Sequence, residues 1–312
     1  MPLASTSEST FSVVWITDTQ YLSRTYPDYF DNMCQWIVNN RDAYNVKMVV
    51  HTGDIINDAT DLSQWNNANH SIGILLDNDI PYCWDAGNHD QSVGSWDAKD
   101  FVALNATLME QKAYWTGDSF DGKNTAVSFN FSGYNFLIVN VEFHANSSEL
   151  QWANNVLDTY PNSHVILATH AYIDELCGYD AWALGLQNTV LGNHSNVFMT
   201  LNGHYYSNGN ANRTGVDQRD ELFFNRQNLD DQKGGATVRI LTFDLTQGKI
   251  NVKTYKPYSG QFVTDPDNEF TLETRFAAIP EFPSGPLLLS FALAVSSCAT
   301  VRQIQKRRTV PV

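Results

Sequence analysis

Positive charge is scarce in this chain of 312 residues, where 19 Lys and Arg stand against 34 Asp and Glu for a formal net charge of −15. That balance argues against a general basic surface for gripping phosphodiester backbones, so no nucleic-acid scaffold is expected as a partner. An acidic surface also repels phosphate esters, so any chemistry on them needs a local cation that the side chains do not supply. Cysteine is scarce too. Cys34, Cys83, Cys177 and Cys298 form no CxxC pair, which argues against a zinc ribbon or a thioredoxin-type redox site. Spacing leaves open whether two of them pair or all remain buried thiols. The chain has no Walker-type phosphate loop, no GxSxG elbow, no Cys/His nucleophile pattern and no internal repeat. Its first residues, MPLASTSEST, lack a charged segment followed by an apolar one, so no signal peptide is read there. Either the chain stays in the cytoplasm or its true start lies upstream of Met1.

What is present is a globular composition, 43% hydrophobic and 12% aromatic, enough for one large core or two modest ones. Apolar runs with β-branched residues predict strands at 11–17, 46–51 and 81–84. Apolar residues at helical spacing predict helices over 26–44, opened by Pro27, and over 62–79. Residues 126–130 with 135–141, and 237–245 with 249–256, predict hairpins turning at Ser132-Gly133 and Gln247-Gly248. A helix at 149–158 and strands at 164–168 and 197–201 fall between them. This alternation implies βαβ units and a largely parallel sheet, with ligands bound at the carboxyl ends of the strands. Residues 205–235 are polar and rich in Asn, Gly and Asp, which predicts a long surface loop.

Polar clusters sit at those strand ends. Asp18-Thr19-Gln20 follows the first strand, Gly53-Asp54-Ile55-Ile56-Asn57 the second and Gly87-Asn88-His89-Asp90 the third; His170 and Gly203-His204 follow later ones. The glycines allow the backbone to turn sharply there. Carboxylate, amide and imidazole ligands together suit Mn, Fe or Zn better than a thiolate-preferring metal. One such Asp is ordinarily a helix cap and one such His a satisfied core residue. Five clusters in this order are much harder to obtain by accident.

The order D-x-Q, GDxxN, GNHD, a lone His after an apolar strand, then GH resembles the calcineurin-like metallophosphoesterase family over about residues 11–275. The resemblance implies a four-layer α/β/β/α sandwich, an α/β fold, and a phosphoester substrate. It also implies two divalent ions and hydrolysis of a phosphate mono- or diester by a metal-activated hydroxide. Carried onto this sequence, Asp54 bridges both ions, Asn88, His170 and His204 complete one site, and Asp18 and Gln20 begin the other. His89 resembles the family's catalytic histidine, and Asp90 is expected to orient it. Two departures stand out. Gln20 occupies a place where many members have His, though an amide oxygen is still a competent ligand. The family's GHxH reads Gly203-His204-Tyr205-Tyr206, so Tyr206 replaces a second His that ligates the Asp18 metal. Three outcomes stay open: ligation by the Tyr206 phenolate, a weak site completed by water, or an empty site. The rival reading is a degenerate member that binds a ligand at the cell surface without turnover. His144, at the end of the 135–141 strand, either reaches this site or is a strand-end or surface residue, and His51 either supports a ligand from behind or packs in a strand.

The tail changes character. Residues 276–286 form a Pro-rich linker, 287–301 an uncharged apolar stretch and 302–312 a basic end carrying Arg302, Lys306, Arg307 and Arg308. That pattern predicts a C-terminal transmembrane helix with its basic end in the cytoplasm and the main body outside the cell. PEFPSGP before it resembles the anchoring signals of archaeal surface proteins. Six N-x-S/T sequons, at Asn69, Asn105, Asn130, Asn146, Asn193 and Asn212, lend weak support to an extracellular, membrane-anchored location.

Overall fold

A computed structural model describes residues 9–91, 97–119, 121–205, 210–215, 218–227 and 235–273. The chain separates into a compact unit, Met1–Arg275, and the remainder, Phe276–Val312. The expected linker, membrane segment and basic end therefore lie outside the described residues, and so does Tyr206. Among the described residues no helix is long and apolar enough to cross a membrane.

The first half carries β1 (Thr10–Ile16), α1 (Gln20–Thr25), α2 (Pro27–Asn40), β2 (Val46–Thr52), α3 (Leu62–Asp77) and β3 (Tyr82–Asp85). After the short α4 (Ala106–Met109) come β4 (Trp115–Asp118), β5 (Thr125–Phe131), β6 (Tyr134–Val141), α5 (Ser147–Thr159) and β7 (His164–Thr169). Next are α6 (Ala181–Thr189), β8 (Val197–Asn202), β9 (Asn210–Thr214) and β10 (Asp220–Phe224). The last strands are β11 (Val238–Asp244), β12 (Lys249–Lys256), β13 (Gln261–Val263) and β14 (Glu269–Glu273).

These strands build two sheets rather than one. The first runs β13-β12-β11-β1-β2-β3, with β14 also on β12, and the second runs β4-β5-β6-β7-β8-β10-β9. The first is parallel on one side and antiparallel from the β1–β11 pair outward, and the second is parallel at its centre and antiparallel at its edges. β1, β2 and β3 pair in parallel, as do β6, β7, β8 and β10. Hairpin partners add the antiparallel edges. The reason lies in burial. β1 is buried along nearly its whole length, as a strand covered on both faces must be. Val14 and Ile16 pack with Phe30, Met33 and Ile37 of α2 and Trp65 and Ile72 of α3. On its other face Phe11 meets Phe129 and Phe136 of the second sheet at ring-centroid distances of 5.4 and 4.8 Å. Residues of α5 and α6 pack on Leu137, Val139, Val165 and Leu167 across the far side of that second sheet. Helices therefore flank two facing sheets in a mixed α/β sandwich.

One expectation is corrected. The segment 205–235 is not a plain surface loop: β9 and β10 form a hairpin within it. β10 extends the second sheet by pairing in parallel with β8. Leu222, Phe223 and Phe224 are buried, and so is Glu221. The charged Glu221 hides the strand in the sequence, yet its carboxylate is satisfied by the hydroxyls of Tyr172 and Tyr179 at 3.1 and 2.7 Å. Cys34 and Cys83 are buried free thiols.

Candidate metal centre

The centre is assembled from loops leaving the carboxyl ends of β1, β2, β3, β7 and β8. Three of its residues sit in the left-handed region, Asp18 at φ 51°, Asp54 at φ 52° and His204 at φ 78°. Such conformations are uncommon outside glycine and concentrate where side chains must be aimed against the run of the chain. The glycines have a steric role here. A Cβ on Gly53 would lie 2.7 Å from the Gly87 nitrogen and 2.8 Å from His170 Nδ1. A Cβ on Gly87 would strike the Asp54 carboxylate, and one on Gly203 would strike those of Asp18 and the Thr17 hydroxyl. The strand-end loops can close on each other only because no side chain grows at those three points.

His170 is the hub. Its Nδ1 lies 2.8 Å from the Thr52 carbonyl, which fixes that proton. Its Nε2 lies 3.1 Å from Asn88 Oδ1, 3.2 Å from Asp54 Oδ1 and 3.1 Å from His204 Nδ1. Ligand atoms of Asp54, His170 and His204 all fall within 4.8 Å of one another. A single imidazole proton can serve one of those acceptors, whereas a cation can serve them together. Asp18 joins through the backbone N–H of His204, which donates to its Oδ2 at 3.1 Å, and Gln20 joins by donating to Asp54 Oδ2 at 2.9 Å. Gln20 Oε1 is buried and has no hydrogen-bond partner. Hard oxygen donors, two imidazoles and an orphaned buried amide oxygen fit divalent ions well.

Electrostatics agree with a cation-seeking site. Burial pushes Asp18 up to about 7, with Asp54 adding to the shift. Burial also disfavours charge on Asp54, but the facing His170 outweighs it and holds that carboxyl below its usual range. Burial opposes charge on His170, yet Asp54 and Asp18 override it and push its pKa up to about 10. Burial and the charge of His170 lower His204 to about 4. A second acidic group, Asp121, Glu142 and Glu149, already holds a cation of its own. Lys123 Nζ stands 2.9 Å from Asp121 and 3.0 Å from Glu142.

His89 lies beside this centre. Its backbone N–H donates to Asp54 Oδ1 at 3.0 Å, and its Nδ1 lies 2.8 Å from the Asn57 carbonyl. Because a carbonyl oxygen only accepts, that contact sets the proton on Nδ1. Asp90 does not orient it. The fully buried Asp90 carboxylate accepts instead from the backbone N–H of Ile56 at 3.0 Å and of Gly87 at 2.8 Å, tying two strand-end loops together. Its carboxyl is reserved for the backbone because unpaired N–H groups in the crowded loops have no other acceptor. His144 stands at the rim, stacked on Phe143 and 3.3 Å from Asp180. His51 lies behind the centre, bonded to Thr19 Oγ1 at 2.9 Å.

Two kinds of residue escaped the sequence reading. Thr17 and Thr52 form a buried relay. Trp15 Nε1 donates to the Thr52 hydroxyl at 2.9 Å, Thr52 to Thr17 at 2.7 Å, and Thr17 to Asp18 Oδ2 at 2.7 Å. Asn225 and Gln227 arrive from the end of β10, where Gln227 Nε2 lies 3.4 Å from Asp18 Oδ1. Threonine in a strand gives no sequence signal of such a role, and the second pair lies in the segment read as a loop.

The family model of the calcineurin-like phosphoesterases matches residues 11–188. The chain belongs to that family. The matched segment includes Asp18, Gln20, Asp54, Asn88, His89 and His170, while His204 and Gln227 lie beyond it. The uncharacterized protein YvnB of Bacillus subtilis (strain 168) is 31% identical over 260 residues, which are 80% of this chain and 20% of that protein. The chain thus spans about one fifth of the length of that curated relative. Among solved structures, purple acid phosphatase PPD1 from yellow lupin (Lupinus luteus) seeds has a TM-score of 0.55 at 14% identity, covering 88% of this chain and 55% of that one. GAP50, the anchor in the inner membrane complex of Plasmodium, has a TM-score of 0.52 at 13% identity, covering 85% of this chain and 89% of that one. At such identities the likeness is one of fold. Family membership also implies divalent metal binding.

Proposed function

We propose that this calcineurin-like phosphoesterase hydrolyses a phosphate mono- or diester at the centre around His170, with two divalent ions of the Mn, Fe or Zn type. The observation that carries the reading is the meeting of Asn88, Asp54 and His204 around one imidazole nitrogen, with His89 alongside. Asn88, His170 and His204 would hold one of the ions, Asp18 and Gln20 would hold the other, and Asp54 would serve both. Bound ions of this kind polarise a phosphoryl group and acidify water at neutral pH. The protein's own groups do the rest. Glycine-lined loops bring the carboxylates together before substrate arrives, so little reorganisation is needed during reaction. His89, aimed by the Asn57 carbonyl, presents its remaining nitrogen to the phosphoryl group or the leaving oxygen as charge develops. The cations also offset the repulsion that a chain of net charge −15 exerts on an anionic ester.

Full-length protein supplied with Mn, Fe or Zn is tested on p-nitrophenyl phosphate and bis-p-nitrophenyl phosphate. The reading expects turnover that Asp54→Ala and His204→Ala abolish. His89→Ala is expected to lower kcat by roughly 10²–10⁴ while elemental analysis finds the wild-type metal content. Wild-type protein that retains its ions but hydrolyses neither ester would overturn the enzymatic reading and leave the binding-only one.

A further inference from the structure

The family pattern leaves a gap on the Asp18 side, because Tyr206 stands where a second His is expected. We infer that Gln227 supplies the missing ligand, its side-chain oxygen completing the metal site that Asp18 and Gln20 begin. This rests on the reading that the centre holds two divalent ions.

Gln227 is buried, at 4% exposure, and a buried amide ordinarily satisfies both of its ends. Here only one end is used. Nε2 reaches Asp18 Oδ1 at 3.4 Å, and Oε1 is buried with no hydrogen-bond partner. Gln20 shows the same arrangement across the centre, donating to Asp54 Oδ2 at 2.9 Å with its own Oε1 orphaned. Two amides thus each donate to a carboxylate of the centre and each leave a carbonyl oxygen over. An amide oxygen is a competent ligand for a hard divalent ion. A cation accounts for both orphans at once.

The placement of Gln227 is built, not incidental. β10 follows β8 in parallel register, ending with Phe223 opposite Asn202, so its exit loop opens where the Gly203-His204 loop does. Asn225 clips the two together, donating from Nδ2 to the His204 carbonyl at 3.4 Å and accepting the Gln227 N–H on Oδ1 at 2.9 Å. Gly235, at φ 72°, lies against the other side. A Cβ there would come within 2.6 Å of Gln227 Cα and N. Backbone contacts on both sides therefore hold the residue with its side chain toward Asp18.

The test is titration of metal-free protein with Mn(II), followed by calorimetry and by electron paramagnetic resonance, which separates a spin-coupled pair from an isolated ion. Wild type is expected to take up two ions and show the coupled signal. Gln227→Ala, and Gln227→Met, which keeps the packing volume without the oxygen, are expected to retain one ion. Their second ion should bind at least about tenfold more weakly, with the signal of isolated Mn(II). Gln227→Glu, which keeps a ligand oxygen, is expected to hold both. Circular dichroism and Tm of the metal-free variants exclude a folding defect. The inference is overturned if the Ala and Met variants bind two ions with wild-type affinity, or if Tyr206→Phe instead is what removes the second ion. Wild-type protein that binds no Mn(II) would sink the metal-centre reading itself, a result distinct from either of these.

Discussion

His51 shows how much a single buried side chain can couple this fold to pH. It is 3% exposed, its Nε2 is bonded to Thr19 and its Nδ1 has no partner. Burial, with a further push from the charge of His170, lowers its pKa from 6.5 to about 3. The unfolded chain therefore takes up a proton below pH 6.5 that the native protein refuses, so stability falls as pH drops through that window and is unaffected above it. Between pH 7 and pH 5 this one residue should cost about 2 kcal/mol, at 1.36 kcal/mol per pH unit below 6.5. Urea unfolding at both pH values is expected to show a loss smaller by that amount in His51→Gln. Parallel losses in the two proteins would mean that the imidazole is protonated in the fold. At the same scale, His89 and Asp90 show why neighbours in sequence need not be partners. The histidine takes its orientation from Asn57 and the carboxylate ties down Ile56 and Gly87.

The elements are held at their ends as much as along their lengths. α5 begins with a capping box. The Asn146 side chain accepts from the N–H of Ser148 at 2.8 Å and of Glu149 at 3.4 Å, and Glu149 Oε2 accepts from the Asn146 N–H at 2.6 Å. These bonds satisfy backbone donors that a helix cannot satisfy internally. Asn146→Ala is expected to cost about 1 kcal/mol, or about 2–4 °C in Tm, without change in metal content. Calorimetry and elemental analysis of one sample check both. No measurable shift would show that water replaces the cap at no cost. β10 teaches the complementary point. Its flanks carry no apolar alternation, and Asp220 and Glu221 open it, yet the sheet edge at β8 and the hydroxyls of Tyr172 and Tyr179 accept it. Tertiary context overrides the local pattern there.

At the scale of the whole molecule, stability rests on aromatic packing, and bound metal is expected to add to it. Phe11 sits at the junction of the sheets, with Phe243 stacked on it at 4.6 Å and Phe129 and Phe136 against its edges. That interior forms from apolar burial alone. The metal centre does not, since it brings Asp18 and Asp54 together beneath buried imidazoles. Ions that bind the folded state and not the unfolded one add stability by mass action, about 2.7 kcal/mol at a hundredfold excess over Kd. Mn(II) is therefore expected to raise Tm in a concentration-dependent way, and a chelator to reverse the rise. A Tm indifferent to both would show that the centre does not bind the ion.

The chain's own residue order determined a good deal. Apolar runs located most strands and the larger helices, and the polar clusters at their ends named Asp18, Gln20, Asp54, Asn88, His170 and His204 before any coordinates. Those signals are local, because strand burial and sharp turns leave their marks within a few residues. Tertiary structure alone decided that β10 extends the second sheet, that Asp90 serves the backbone, and that Gln227 lies against Asp18 from 209 residues away. Nothing in a sequence records which glutamine loses its water without finding a partner. That depends on which strand edges happen to meet, and meeting is a property of the packed whole.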